Sequence, residues 1–144
     1  MIKPGIRWLL AVFTLCSFKG EKRKIKGTWK IVSEETFING DRSVSVKDEN
    51  NTGLKTWSDD YYMFLSKSVN GSAVSQTFGG GRYDLNGNNY IEYNDYHVAP
   101  NYRGRLLKIH LEIEKDTLTQ IYPCDDNFNY DINNCNIQKY IKLD

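Results

Sequence analysis

The chain has 144 residues, of which 40% are hydrophobic, 13% aromatic and 26% charged. This length fits one domain of roughly 100 to 150 residues, and the apolar fraction is too high for an intrinsically disordered chain. Nineteen Lys+Arg against eighteen Asp+Glu give a net charge of +1, so no global field draws the protein to DNA, RNA or anionic lipid, and nucleic acid is not an expected partner.

Residues 1–17 have the form of a short secretory signal peptide. Lys3 and Arg7 precede the uncharged run Trp8-Leu9-Leu10-Ala11-Val12-Phe13-Thr14-Leu15-Cys16. At about 1.5 Å per residue this run is too short to span a hydrocarbon core of ~30 Å. Cleavage after Ser17 and lipidation of Cys16 are the two processing routes, and Leu15 fits neither pattern well. Export to the periplasm or the extracellular space is expected. The alternative is a lipid anchor on Cys16 that tethers the protein to the envelope membrane. Loss of Lys3 and Arg7 leaves 17 basic against 18 acidic residues, a net charge of −1. Residues 18–26, which carry the run Lys19-Gly20-Glu21-Lys22-Arg23-Lys24-Ile25-Lys26, are expected to be a solvated basic tether rather than a membrane or polyanion patch.

From residue 27 onward the periodicity is that of strands. Segments 27–33, 61–65, 74–78, 82–86, 90–96, 106–113, 117–122 and 137–143 carry β-branched and aromatic residues. The clearest is 106–113, where Leu107, Ile109, Leu111 and Ile113 share one face and Lys108, His110 and Glu112 the other, so one side is buried and one wet. Asn39-Gly40-Asp41, Asn70-Gly71-Ser72, Asn86-Gly87-Asn88 and Glu114-Lys115-Asp116 read as hairpin turns, Asn-Gly being the preferred pair of a type I′ turn. Gly79-Gly80-Gly81 reads as a turn or sharp bend. Eight to ten short strands joined mostly by hairpins, with no helical crossover, must close or stack to hide their edges. The expected fold is an all-β, antiparallel up-and-down barrel over residues 27–144, in a monomer.

In an oxidising compartment Cys124 and Cys135 are expected to form one disulfide. Between them Asp125, Asn127, Asn129 and Asp131 alternate like calcium ligands, but Tyr130 and Asn136 stand where a calcium loop needs Gly and Glu, so an Asx-turn loop is the better reading. No metal or cofactor is expected. Nor is an enzyme: His97 and His110 lie in separate segments, no nucleophile elbow occurs, and the glycine run lacks the Lys-Ser or Lys-Thr of a phosphate loop. The sequons Asn50-Asn51-Thr52 and Asn70-Gly71-Ser72 read as an ordinary polar loop and a hairpin turn.

Gly27-Thr28-Trp29 resembles the G-x-W signature of lipocalins. The stretch from Gly80-Gly81-Arg82-Tyr83 to Tyr90-Ile91-Glu92 is similar to the G-G-x-Y…Y-x-E pattern of small bacterial exported lipocalin-like domains, most of them of unknown function. Asp116-Thr117-Leu118 and Tyr140-Ile141-Lys142 fall where that family has a turn-and-strand element and an aromatic-x-Arg motif. The resemblance covers about residues 27–143. It implies that Trp29 packs under the cation of the last strand, here Lys142 in place of arginine. It also implies a cup for one small hydrophobic or amphipathic molecule. Tyr62, Phe64, Phe78, Tyr83, Tyr90 and Glu92 are the expected ligand-binding residues, unless the aromatics simply fill a dry interior and Glu92 pairs with Arg82 or Arg103. The function so implied is non-enzymatic ligand binding by an exported protein, the alternative being an envelope or surface module that contacts a protein or glycan through a filled barrel.

Overall fold

The computed structural model describes residues 22–144; the expected export signal and Cys16 lie outside them. Ten strands form one antiparallel sheet: β1 (Gly27–Ile38), β2 (Asp41–Val46), β3 (Asn51–Trp57), β4 (Tyr61–Asn70), β5 (Ala73–Asn86), β6 (Asn89–Tyr93), β7 (Tyr96–His97), β8 (Leu106–Glu114), β9 (Thr117–Tyr122) and β10 (Asn136–Lys142). Eight of them close the ring β1-β3-β4-β5-β6-β8-β9-β10, with β10 pairing back onto β1. This is the expected up-and-down barrel, and closure leaves no open edge in the ring. Strands β2 and β7 are appendages that pair only with β1 and β5.

One edge of β1 is shared. Its first residues pair with β3 as far as Lys30↔Leu54, and from Ser33↔Val46 onward β2 takes over. The β1–β10 register shifts between Ile31 and Ser33, at the same level. Residues 51–53 consequently leave β1 and pair only with β4. The result is a fork in the wall between the β1–β2 ribbon and the β3–β4 pair.

Alternation along the strands stacks the interior in tiers. At the end where β1 begins, Trp29, Trp57, Leu85, Tyr90, Leu111 and Leu118 are buried. A short helical turn at residues 22–25 caps this end: Ile25 is fully buried and its carbonyl accepts Trp29 Nε1–H at 2.8 Å. Residues 22–26 therefore differ from the solvated tether expected of them, because Ile25 fills the barrel base while Lys22 and Lys26 pair with Asp60 and Asp59. Trp29 and Lys142 are direct cross-strand partners, with the ammonium 5.5 Å from the indole centroid.

Two of the turns differ in detail from the Asn-Gly reading. Asn39 and Gly40 are both central with positive φ (52° and 86°), as type I′ requires. In the β4–β5 and β5–β6 hairpins the register places Asn70 and Asn86 inside the strands, so Gly71 and Gly87 open the turn as in type II′. Gly79-Gly80-Gly81 is not a turn but the middle of the continuous strand β5. The three glycines let the backbones close up: a Cβ at Gly81 would overlap the Tyr93 carbonyl oxygen, and one at Gly80 that of Tyr62.

The expected disulfide is absent. Cys124 and Cys135 are free thiols, directed to the Ile121 and Ile132 carbonyls at 3.5 and 3.8 Å, and burial raises the pKa of both. Asx turns hold the loop between them: Asp125 Oδ1 accepts the N–H groups of Asn127 and Asn129 at 2.8 and 2.9 Å, and Asp131 Oδ1 that of Asn133 at 2.9 Å.

Candidate functional site: a chamber above a buried charged tier

The middle tier of the barrel carries polar side chains. Strands β3, β6 and β9 each turn one inward: Lys55, Glu92 and Gln120, which are 6%, 4% and 0% exposed. Each occupies an inward position because its strand alternates, Lys55 between Gly53 and Trp57, Glu92 two residues after Tyr90, and Gln120 two after Leu118. Buried charge is tolerated only when it is paired and hydrogen-bonded. The Lys55 ammonium donates to the Glu92 carboxylate and to Gln120 Oε1, the latter at 3.2 Å. The rings of Tyr62, Trp57 and Tyr90 surround it at 5.2, 5.3 and 6.0 Å. Below, Trp57 Nε1–H donates to Tyr90 Oη at 2.8 Å, and on the chamber side the Tyr62 hydroxyl donates to Asn94 Oδ1 at 2.8 Å. Burial, followed by the neighbouring Glu92 carboxylate, holds the Tyr62 and Tyr90 phenols well above the usual tyrosine pKa.

This tier is the floor of a chamber of about 340 Å³ that extends toward the fork. Phe64 and Leu107 supply apolar wall, and Tyr122, Gln138 and Tyr140 face them from β9 and β10. The polar wall is cross-linked: Tyr140 Oη donates to Gln138 Oε1 at 2.7 Å, and Gln138 Nε2 to Glu34 Oε1 at 3.0 Å. Lys47 pairs with the other Glu34 oxygen at 3.1 Å. Burial raises the Tyr122 pKa, so its hydroxyl is a neutral donor at physiological pH. At the rim, His97 stacks 4.8 Å from Tyr102 and 5.6 Å from Phe64. It shares the chamber with Glu92, but its Nδ1 accepts the Ala99 N–H at 3.0 Å, while Glu92 is held by Lys55 on the floor.

The six expected ligand residues fall into three groups. Phe64 and Glu92 line the chamber. Tyr62, Tyr83 and Tyr90 are core: Tyr83 donates to the Ser58 carbonyl at 2.8 Å, with its pKa pushed up to about 12 by burial and then by Asp60 and Asp59. Phe78 is on the outside, 55% exposed, which corrects its placement in the cup. The partner of Glu92 is Lys55; Arg82 pairs with Asp95, and Arg103 donates to the His97 carbonyl. Lys55, Gln120, Tyr122 and Gln138 were not anticipated from sequence. The signal for Gln120 is present in 117–122, where Leu118, Gln120 and Tyr122 share the inward face. Among the described residues no three His, Cys, Asp or Glu side chains converge to hold a metal.

A second concave surface lies outside the barrel, where Tyr61, Met63, Leu65, Phe78 and Tyr96, each more than half exposed, border the glycine run. Neither protein-family models nor curated proteins match this chain.

Proposed function

We propose that this is an exported, non-enzymatic, lipocalin-like binding protein that holds one small amphipathic molecule in the chamber of its barrel. The observation that carries this reading is the division of the interior. One half is filled by Trp29, Trp57, Tyr90, Leu111 and Leu118, and the other is a chamber of about 340 Å³ with an apolar wall opposite a polar one. That size and mixed lining suit a small ligand with a polar head. The cross-strand contact of Trp29 with Lys142 supports the lipocalin comparison. Glu92 serves as the counter-ion of Lys55, which favours binding over acid–base chemistry.

A different observation favours the interaction module, namely the exposed apolar face of Tyr61, Met63, Leu65, Phe78 and Tyr96. Native mass spectrometry after gentle purification separates the two readings. The cup predicts an added mass of a few hundred daltons that is lost on denaturation. Repeatedly ligand-free protein, together with a macromolecular partner lost on Phe78→Ser, favours the module.

A further inference from the structure

The hydrogen bonds on the chamber floor define the chemistry of a ligand head. Gln120 is fully buried on the chamber wall, and its Nε2 has no hydrogen-bond partner among the described residues. The amide cannot be turned to remove this defect. Its oxygen faces the Lys55 ammonium, which only donates, so the reversed orientation would set two donors against each other. The neighbouring amide of Gln138 is directed elsewhere, its Oε1 to the Tyr140 hydroxyl and its Nε2 to Glu34. Two residues further along β9, Tyr122 also lines the chamber with a hydroxyl that can donate or accept. Among the described residues, the one buried polar atom of this wall left without a partner is thus a donor. A buried donor without an acceptor is costly, and an incoming acceptor removes that cost.

Charge narrows the class further. The floor cation is matched by Glu92, and Lys47 at the fork is matched by Glu34. A carboxylate placed against Gln120 would face no free buried cation and would have to be desolvated without compensation. An ammonium placed against Gln120 Nε2 would set donor against donor beside the Lys55 cation. We infer that the chamber selects a neutral molecule with a carbonyl-type acceptor, its oxygen on Gln120 Nε2 and its apolar body against Phe64 and Leu107. This rests on the binding-cup reading and names the ligand class for it.

The test titrates the folded protein with three probes of similar chain length, 2-nonanone, octanoate and octylamine. Binding is followed by calorimetry and by the Gln120 side-chain amide signals in NMR spectra. The inference predicts that 2-nonanone binds at least tenfold more tightly than either charged probe and shifts the Gln120 NH₂ signals. Gln120→Leu should weaken 2-nonanone about tenfold while leaving octylamine unchanged, and Tyr122→Phe, which keeps the ring, should weaken it less. Tighter binding of octanoate or octylamine overturns the inference and leaves the cup reading standing. The inference also fails if 2-nonanone binds without moving the Gln120 signals. If no probe perturbs any chamber residue, the donor is met by water alone and both readings fall.

Discussion

Replacing Glu92 with leucine strands the Lys55 ammonium in a tier where it is only 6% exposed. Breaking a buried ion pair from one side costs about 3–5 kcal/mol, because the remaining charge is left uncompensated. For a domain of this size that is a fall in Tm of about 10 °C or more. Removing both charges, in Lys55→Met with Glu92→Leu, eliminates the stranded ion but leaves Gln120 Oε1 unpaired beside the already unpaired Nε2. The double variant should therefore recover most of the loss and retain a deficit of about 1–3 kcal/mol, the cost of an unsatisfied buried amide. Adding Gln120→Leu should bring stability to within about 1 kcal/mol of the parent, since an apolar tier of similar volume needs no partners. Urea unfolding followed by tryptophan fluorescence reads all three, with Trp29 and Trp57 in the tiers concerned. A Glu92→Leu cost below about 1 kcal/mol would refute the buried pair. So would a double variant as unstable as the sum of its single changes.

Other outcomes follow from the same geometry. Gly81→Ala should destabilise by several kcal/mol in urea melts, because its Cβ would overlap the Tyr93 carbonyl, whereas Gly71→Ala, with φ +61° and open space around it, should cost about 1 kcal/mol. Lys142→Met should cost about 0.5–1 kcal/mol through loss of the contact to Trp29, and Lys142→Arg should cost less or nothing. Ellman's reagent should titrate two thiols in the denatured chain lacking residues 1–17, react slowly with the folded protein because burial raises both pKa values, and reductant should leave Tm unchanged. Asp125 and Asp131 have folded pKa values held below the ordinary aspartate value, Asp125 by backbone N–H donors first and Asp131 by the Asn134 side chain first. Their contribution is complete above the unfolded value and lost as pH falls through the folded one, so amide signals of the 123–135 loop should hold at neutral and mildly acidic pH and be lost only once the pH falls below the ordinary aspartate range.

The barrel was legible because most of its strands advertise themselves. The alternation from Leu106 to Glu114 and the Gly-containing turns place the hairpins even where the turn type differs by one position. Strands β2 and β3 escaped notice for separate reasons. Residues 41–46 lie on an exposed ribbon with no buried face, and in 51–57 the inward positions are Gly53, Lys55 and Trp57, so the buried side reads as polar. The missed lysine is the partner of Glu92, which is why that carboxylate was assigned to arginines nearer in sequence. Phe78 was misplaced through parity. Reading Gly79-Gly80-Gly81 as a turn broke the alternation, whereas a continuous strand with Tyr83 inward puts Phe78, an odd number of residues away, on the outside. The helical turn at residues 22–25 was hidden by its flanking lysines and arginine, which mask the one buried residue, Ile25.

The central claim is that the upper half of the barrel holds a small molecule whose acceptor meets Gln120. A high-resolution crystal structure of gently purified protein tests this most directly. The account predicts continuous density in the chamber, bounded by Phe64 and Leu107, with an oxygen within about 3.2 Å of Gln120 Nε2. Separate water peaks alone, or Phe64 and Tyr122 folded into the space, would contradict it.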